Sequence, residues 1–144
     1  MKKQMKKPTV TIGIPAYNEE ANIKNMLESV LRQKGDSFVL EKILVVLDGC
    51  TDNTFKIVKL VAKKDRRIKV MHDGKRTGKA IRINKILSIN RSDICLFLDA
   101  DILISGPNFL NEISKSFKNS NVGLVSGYDK TLEGKTFIEK IKNH

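Results

Sequence analysis

The sequence has no tryptophan and only two cysteines, and aromatic residues make up 6% of it. Cys50 and Cys95 are too few for a disulfide framework, and no cysteine–histidine set has zinc-binding spacing. This cysteine usage is typical of a reducing, cytoplasmic setting. The few aromatic residues do not alternate with basic clusters, as the stacking platforms of nucleic-acid-binding proteins do, so we expect no nucleic-acid partner.

Long apolar runs are also lacking. No stretch approaches the roughly 18 apolar residues of a membrane span. The basic start "MKKQMKKP" is not followed by the apolar segment that a signal peptide needs. We therefore expect a basic N-terminal segment over residues 1–8 and a single domain over residues 9–144.

Negative charge is scarce, since 16 acidic residues stand against 27 basic ones and give a net charge of +11. Such a charge favours anionic partners, among them nucleotides and an anionic membrane surface. Peripheral association with the inner face of a membrane is therefore one expectation. The charge alone does not choose between these partners.

Apolar runs typical of strands alternate with helical patterns along the whole chain. The strands are predicted over 9–17, 42–49, 68–72, 93–99 and 122–128. Asn18, Thr51 or Asp52, and Gly106-Pro107 are predicted to start three of the helices. The third helix should turn four apolar side chains inward: Ala80, Ile83, Ile86 and Leu87. This alternation predicts an α/β fold, a mostly parallel sheet with helices on both faces.

Ligands of such sheets bind at the carboxyl ends of the strands, and polar residues follow several of these strands. Asp99 and Asp101 come after the apolar run Ile94 to Leu98, which has the composition of a strand buried on both faces. In extended backbone, residues two apart point to one side, so both carboxylates can converge on one cation while Ala100 points away. Oxygen ligands of this kind suit Mg²⁺ or Mn²⁺, completed by phosphates and water.

Two further segments have the composition of ligand-binding loops. Asp48 ends the second strand and can accept hydrogen bonds from a base or sugar, and Gly49 permits a positive φ or a close backbone approach. "GKRTGKA" over 74–80 departs from a phosphate-binding P-loop in its glycine spacing and in the alanine at the hydroxyl position. Gly78 and Lys79 at a helix N-terminus still form a candidate anion site.

Together, "TIGIPAYNEE", "VVLDGCTDNT", "GKRTGKAIRIN" and "LFLDADI" resemble the nucleotide-binding half of a family 2 glycosyltransferase of GT-A fold. The resemblance covers residues 8 to 128. It implies a nucleoside pocket lined by Pro15, Ala16, Tyr17 and Glu19, a base-binding role for Asp48, and nucleotide contacts near Gly78 and Lys79. It also implies that Asp99 faces the ribose or sugar, and that Asp101, with Asp99, holds the metal. Ala100, between them, is predicted among the nucleotide-sugar-binding residues.

The resemblance further implies transfer of a sugar from a UDP- or GDP-sugar to an acceptor, with inversion, the acceptor being a polysaccharide or a lipid phosphate. Family members place a general base in an acceptor-binding half that we expect this chain to lack. The chain is therefore expected to bind its donor but to transfer poorly or not at all alone. The alternatives are a non-catalytic nucleotide-sugar-binding or regulatory module, a basic membrane adaptor, and a HAD-type phosphatase with the same Asp-x-Asp step.

Overall fold

The computed structural model describes residues 6–127, in which four strands alternate with four helices. In chain order these elements are β1 (Thr9–Ala16), α1 (Ile23–Leu31), β2 (Val39–Leu47), α2 (Thr54–Ala62), β3 (Ile68–Met71), α3 (Lys79–Ile89), β4 (Ile94–Phe97) and α4 (Phe109–Ser116). None of the helices within these residues has both the length and the apolar character needed to cross a membrane.

The four strands form one sheet in the order β3-β2-β1-β4, and every neighbouring pair is parallel. β1 and β2 are paired along their whole length, from Thr9 opposite Val39 to Ala16 opposite Leu47. The predicted α/β class with a parallel sheet is confirmed. The loops that follow the strands therefore meet at one edge of the sheet.

Alternation along the two central strands divides their side chains between two layers of helices. Val10, Ile12 and Ile14 of β1 are buried in the larger core cluster, which also contains side chains of α1, α2 and α4. Leu44 and Val46 of β2 point the other way and form a smaller cluster with α3. Helices thus lie on both faces of the sheet, as predicted.

α3 approaches the sheet closely because β1 has a glycine beneath it. A Cβ atom on Gly13 would lie 2.7 Å from Cγ2 of Ile86, closer than real side chains pack. Ile86 is fully buried as predicted, whereas Ala80 and Leu87 are exposed, so the predicted inward face was wrong for these two residues. Arg82, one turn before Ile86, is buried in their place.

β4 is less buried than its sequence suggested. Cys95, Leu96 and Phe97 are only half-buried, because within residues 6–127 the strand is an edge of the sheet, paired with β1 alone. The predicted fifth strand was also wrong over the part the structure describes, since residues 122–127 form no strand and Leu124 is 88% exposed. Tyr128 and the predicted C-terminal helix lie outside the described residues.

Two helices start later than predicted. α1 begins at Ile23, whereas Asn18 has a left-handed backbone with φ of 51° and does not cap it. α4 begins at Phe109, two residues after Pro107. Residues 20–22 form a turn before α1, and Asn108 lies at the N-cap of α4.

Candidate functional site

A cavity of about 290 Å³ lies at the carboxyl edge of the sheet. It collects all ten residues predicted for the site, together with Arg76: Pro15, Ala16, Tyr17, Glu19, Asp48, Gly78, Lys79, Asp99, Ala100 and Asp101. These residues come from four separate segments of the chain. The parallel sheet brings them together because the segments follow β1, β2, β3 and β4.

The loops after β1 and β2 are joined by side-chain hydrogen bonds. Asn18 Oδ1 accepts from the backbone N–H of Thr51 at 2.8 Å. Glu20 Oε2 accepts from both the backbone and the side-chain nitrogen of Asn53, each at 2.9 Å. Asn18 and Glu20 therefore link two loops, and the prediction that they start a helix was wrong because these tertiary bonds replace the cap.

Asp48 lies at the base of the cavity and is only 5% exposed. Its Oδ1 accepts hydrogen bonds from the N–H of Thr77 at 2.7 Å, the N–H of Gly78 at 3.1 Å and Nε of Arg82 at 2.9 Å. Its Oδ2 accepts from the Gly78 N–H at 3.0 Å. Thus Oδ1 is fully occupied by the protein, whereas Oδ2 retains capacity for one more donor.

The Asp48 carboxyl is ionised at neutral pH despite its burial. Burial acts to raise its pKa, but the hydrogen bonds from Thr77, Arg82 and Gly78 outweigh burial and hold the pKa below its usual value. An ionised carboxylate accepts hydrogen bonds and donates none. A ligand group that meets Asp48 must therefore carry a donor.

Arg82 is the functional candidate that the sequence reasoning missed. It lies one helical turn before Ile86. It was missed because charged residues on a helix are generally expected to face solvent. The available signal was its spacing, because residues four apart share a helix face and Ile86 was already placed inward. An arginine on an inward face needs carboxylate partners, and Asp48 and Asp73 are those partners.

Tyr17 and Arg76 form one side of the cavity. The central carbon of the Arg76 guanidinium lies 3.5 Å from the centre of the Tyr17 ring. This is a stacked cation–π contact. The exposed face of an aromatic ring at the cavity wall thus already accommodates a planar group.

The Asp-x-Asp segment lies in a turn and not in extended backbone, so the strand-alternation argument for it was wrong. β4 ends at Phe97, and the N–H of Ile102 donates to the carbonyl of Asp99 at 3.2 Å. Both carboxylates nevertheless line the cavity. Ala100 is 4% exposed and packs in the larger core cluster, which accounts for a small apolar residue between them.

The two carboxylates differ in their partners. Lys79 Nζ lies 2.5 Å from Asp99 Oδ1 in an exposed ion pair. Asp101 is exposed and, among residues 6–127, has no salt-bridge partner. The same part of the chain contains no cluster of three or more histidine, cysteine or acidic side chains that could hold a metal. Two oxygen donors fit a Mg²⁺ or Mn²⁺ ion that takes its other ligands from phosphates and water.

Aspartates with lowered pKa values predict the response of the fold to acid. The pKa of Asp65 is lowered by hydrogen bonds from Arg67, that of Asp73 by Arg82, and that of Asp48 as described above. Because each folded-state pKa lies below the unfolded value of about 4, this stabilisation is complete above about pH 4 and is lost as the pH falls further. Thermal unfolding followed by circular dichroism should show a constant Tm from about pH 7 to about pH 5 and a fall below about pH 4.

An Asp65→Asn variant is the control for this pH series. In the parent protein the Asp65 carboxylate pairs with Arg67, and Asp65 does not line the cavity. The variant should start with a lower Tm at neutral pH and lose less of it on acidification than the parent protein. A Tm that rises between about pH 5 and about pH 3 would contradict the assigned direction of these pKa shifts.

The parallel α/β sheet and a polar cavity at its carboxyl edge define a nucleotide-binding type of α/β domain. The model of the family described as "Glycosyl transferase family 2" matches residues 11–143. The chain belongs to this family. This match confirms the family that was inferred from the four motifs, and it is evidence against the alternative of a HAD-type phosphatase.

Two relatives show how much of a family member the chain represents. A dolichyl-phosphate beta-glucosyltransferase ALG5D of Trichomonas vaginalis is 34% identical over 94% of this chain and 46% of its own length. A putative glycosyltransferase EpsH of Bacillus subtilis is 30% identical over 95% of this chain and 39% of its own length. The chain thus spans less than half the length of these relatives.

Solved structures share the fold. The mannosyltransferase PcManGT from Pyrobaculum calidifontis, in complex with GDP-Man and Mn²⁺, superposes with a TM-score of 0.67 at 27% identity, over 76% of this chain and 32% of that one. S. aureus TarS 1-349 in complex with UDP-GlcNAc gives a TM-score of 0.67 at 25% identity, over 76% of this chain and 31% of that one. These matches confirm the GT-A fold as that of a part of a full enzyme.

Proposed function

We propose that this chain is the donor-binding domain of a glycosyltransferase, which binds a nucleoside-diphosphate sugar together with a divalent metal. The observation that carries the proposal is the single cavity in which four segments place an aromatic ring, a buried carboxylate acceptor, two cations and the Asp-x-Asp pair. The neighbouring structures with GDP-Man and with UDP-GlcNAc support a donor of this chemical class.

The base of the donor is proposed to lie between Tyr17 and Asp48, against the strand end formed by Pro15 and Ala16. Arg76 already stacks on one face of the Tyr17 ring, so the base would stack on the opposite face or take the place of the guanidinium. Oδ2 of Asp48 accepts one further hydrogen bond, so it suits uracil or guanine, whose ring N–H is a donor. Cytosine has an acceptor at the equivalent ring nitrogen and its donor on the exocyclic amino group, so a carboxylate placed to face the ring nitrogen disfavours it.

The diphosphate and the metal are proposed to lie at the other end of the cavity. Lys79, in the first turn of α3, and Arg76 supply positive charge, and the helix N-terminus beginning at Gly78 favours an anion. Asp101 and Asp99 would hold Mg²⁺ or Mn²⁺. A bound metal supplies Lewis acidity, which offsets the negative charge that grows on the departing nucleoside diphosphate.

The acceptor is proposed to be a lipid phosphate or a polysaccharide. Its nucleophilic oxygen would attack the anomeric carbon of the donor sugar with inversion, while the bond from that carbon to the nucleoside diphosphate breaks and the nucleoside diphosphate leaves. A lipid phosphate is supported by the Trichomonas vaginalis relative, whose name specifies dolichyl phosphate. The net charge of +11 supports a cytoplasmic domain that associates peripherally with an anionic membrane surface. We further propose one donor domain over residues 9–144, after a basic segment over 1–8, which transfers weakly or not at all by itself.

A non-catalytic nucleotide-sugar-binding module is the second candidate. The observation that favours it concerns the four carboxylates that line the cavity. Asp48, Asp99 and Asp101 have donor-side roles in the proposal, and we propose that Glu19 lines the nucleoside pocket. Within residues 6–127 no further carboxylate lines this cavity that could deprotonate an acceptor. Transfer assays with the bound donor distinguish the two, because a module binds the donor and leaves it intact.

Calorimetric titration of UDP, GDP and CDP in the presence of Mn²⁺, Mg²⁺ or EDTA tests the proposal. We expect either UDP or GDP to bind in a metal-dependent manner and CDP to bind at least about tenfold more weakly, the effect of one mismatched hydrogen bond in a buried site. Thermal unfolding of the same sample is the control for folding. A cooperative transition that no nucleotide shifts, with no heat of binding, would overturn the proposal.

A further inference from the structure

Arg82 connects the end of β2 to the loop that follows β3. Its side chain is 6% exposed and lies between Asp48 and Asp73. Nε donates to Asp48 Oδ1 at 2.9 Å, while Nη1 and Nη2 donate to the two oxygens of Asp73 at 2.8 and 2.9 Å. Nη2 also donates to the carbonyl oxygen of Lys75. One guanidinium thus joins Asp48, at the end of β2, to Asp73 and Lys75 of the loop that follows β3.

The same loop is bound to Asp48 directly. The N–H groups of Thr77 and Gly78 donate to its carboxylate, which itself receives Nε of Arg82. The carboxylate therefore has its orientation set by three donors, with Oδ1 occupied and Oδ2 less so. The segment 73–78 carries Arg76 to the ring of Tyr17 and leads into α3 at Lys79.

We propose that Arg82 is the positioning residue of the donor site, an inference that rests on the proposed function. It holds the Asp48 carboxylate and the segment 73–78 in their binding arrangement before the nucleotide arrives. Such preorganisation raises affinity because the ligand does not have to order these groups itself. Arg82 does not line the cavity, so it acts through Asp48 and the loop and not by contact with the donor.

Geometry makes arginine necessary at this position. The planar fork of a guanidinium matches a carboxylate with two parallel hydrogen bonds and leaves Nε for a second carboxylate. A lysine would keep the positive charge between Asp48 and Asp73 but could not hold both carboxylates and the Lys75 carbonyl in one geometry. The Arg82→Lys variant therefore separates positioning from charge.

Arg67 offers a matched control on the same protein. It also makes a forked pair, with Asp65, through Nε at 3.0 Å and Nη2 at 2.7 Å, although its side chain is 38% exposed. Neither Arg67 nor Asp65 lines the cavity. Arg67→Lys therefore breaks a forked arginine–carboxylate pair without touching the donor site. A loss of amide protection or of nucleotide affinity that both variants share would therefore reflect lower fold stability and not the loss of positioning.

The first measurement is amide hydrogen exchange by NMR, which needs no nucleotide. In the parent protein the Thr77 and Gly78 amides should be protected because both donate to Asp48. Arg82→Lys should accelerate their exchange at least about tenfold relative to core amides, and Arg67→Lys should leave it unchanged. Unchanged exchange of both amides in Arg82→Lys would overturn the proposal, whether or not the parent protein binds a nucleotide.

The second measurement is nucleotide affinity by calorimetry, with UDP or GDP, whichever binds, and with CDP. Arg82→Lys should bind the preferred nucleotide about tenfold more weakly and should discriminate less against CDP. Equal weakening toward both nucleotides, or parent affinity, would overturn the positioning role. If no nucleotide binds the parent protein, the proposed function fails while the exchange result still decides the role of Arg82.

Asp73→Asn keeps the test decisive if Arg82→Lys does not fold. The Asp73 side chain is 51% exposed, and Arg82 keeps Asp48 as a partner after the replacement, so no buried charge is left unpaired. It removes one anchor and retains the Arg82–Asp48 bond, so faster exchange should be confined to residues 73–77 and the loss of affinity should be smaller. Parent-like exchange throughout the segment 73–78 in this variant would contradict the inference.

Discussion

Replacement of Asp101 by asparagine is expected to abolish the metal-dependent part of nucleotide affinity. Asparagine keeps the size of the side chain but removes the charge that a divalent cation requires. Loss of partners around a metal ligand costs about 10- to 100-fold in metal affinity, and loss of the ligand itself should cost no less. Titration of the preferred nucleotide with Mn²⁺ and with EDTA, before and after the substitution, measures this effect.

Asp101 is the sharper position to test because Asp99 is already paired with Lys79. Asp36→Asn is the matched control, since Asp36 is exposed and lies outside the cavity lining. It removes the same charge from the protein and should leave the Mn²⁺ dependence unaltered. Retention of full metal dependence by Asp101→Asn would show that the cation is held elsewhere.

Replacement of Gly49 by alanine is expected to destabilise the fold and to weaken nucleotide binding together. Gly49 has a φ of +67°, and a Cβ atom there would lie 2.8 Å from the backbone nitrogen of Arg76 and 2.9 Å from the carbonyl carbon of Lys75. Backbone strain costs about 1–2 kcal/mol and the clash about 1–3 kcal/mol, so the free energy of unfolding should fall by about 2–5 kcal/mol. Because the clash is with backbone, the segment 73–78 must move away from Asp48.

Gly106→Ala separates strain from displacement in this test. Gly106 has a φ of +71°, and no atom lies within 4 Å of the Cβ position. Its replacement should cost only the strain of about 1–2 kcal/mol and leave nucleotide affinity unchanged. Urea unfolding and calorimetry on both variants give the comparison. Equal losses of stability and parent affinity in Gly49→Ala would refute the role assigned to the close approach.

The fold and the meeting of the predicted polar residues in one cavity were predictable because both follow from short-range patterns, whereas the roles of these residues stay predictions. Apolar runs alternating with helical spacing predict parallel strands, and the rule for their carboxyl ends selects the polar residues that follow them. Asp48, Gly49 and the Asp-x-Asp pair were found in this way. The positive φ and close approach predicted for Gly49 are confirmed.

What could not be predicted depends on contacts between distant segments. Asn18 is of a residue type that commonly caps helices, but its side chain accepts a hydrogen bond from Thr51 of another loop. Arg82 is of a residue type that usually faces solvent on a helix. Its charge is buried here because two carboxylates from other elements of the chain pair with it. The apolar run that begins at Ile94 predicts a strand covered on both sides. How far that strand is covered depends on which strands lie beside it in the sheet, and no local sequence pattern determines this order.

β4 also bears on how this chain behaves in concentrated solution. Within residues 6–127 its outer edge has no strand beside it, and Cys95, Leu96 and Phe97 are apolar and half-buried. Such an edge is a template for strand addition between molecules. The net charge of +11 opposes that encounter by mutual repulsion, which dissolved salt screens. Solubility of the isolated chain should therefore decrease as ionic strength rises, and dilute, low-salt buffers favour the dispersed protein.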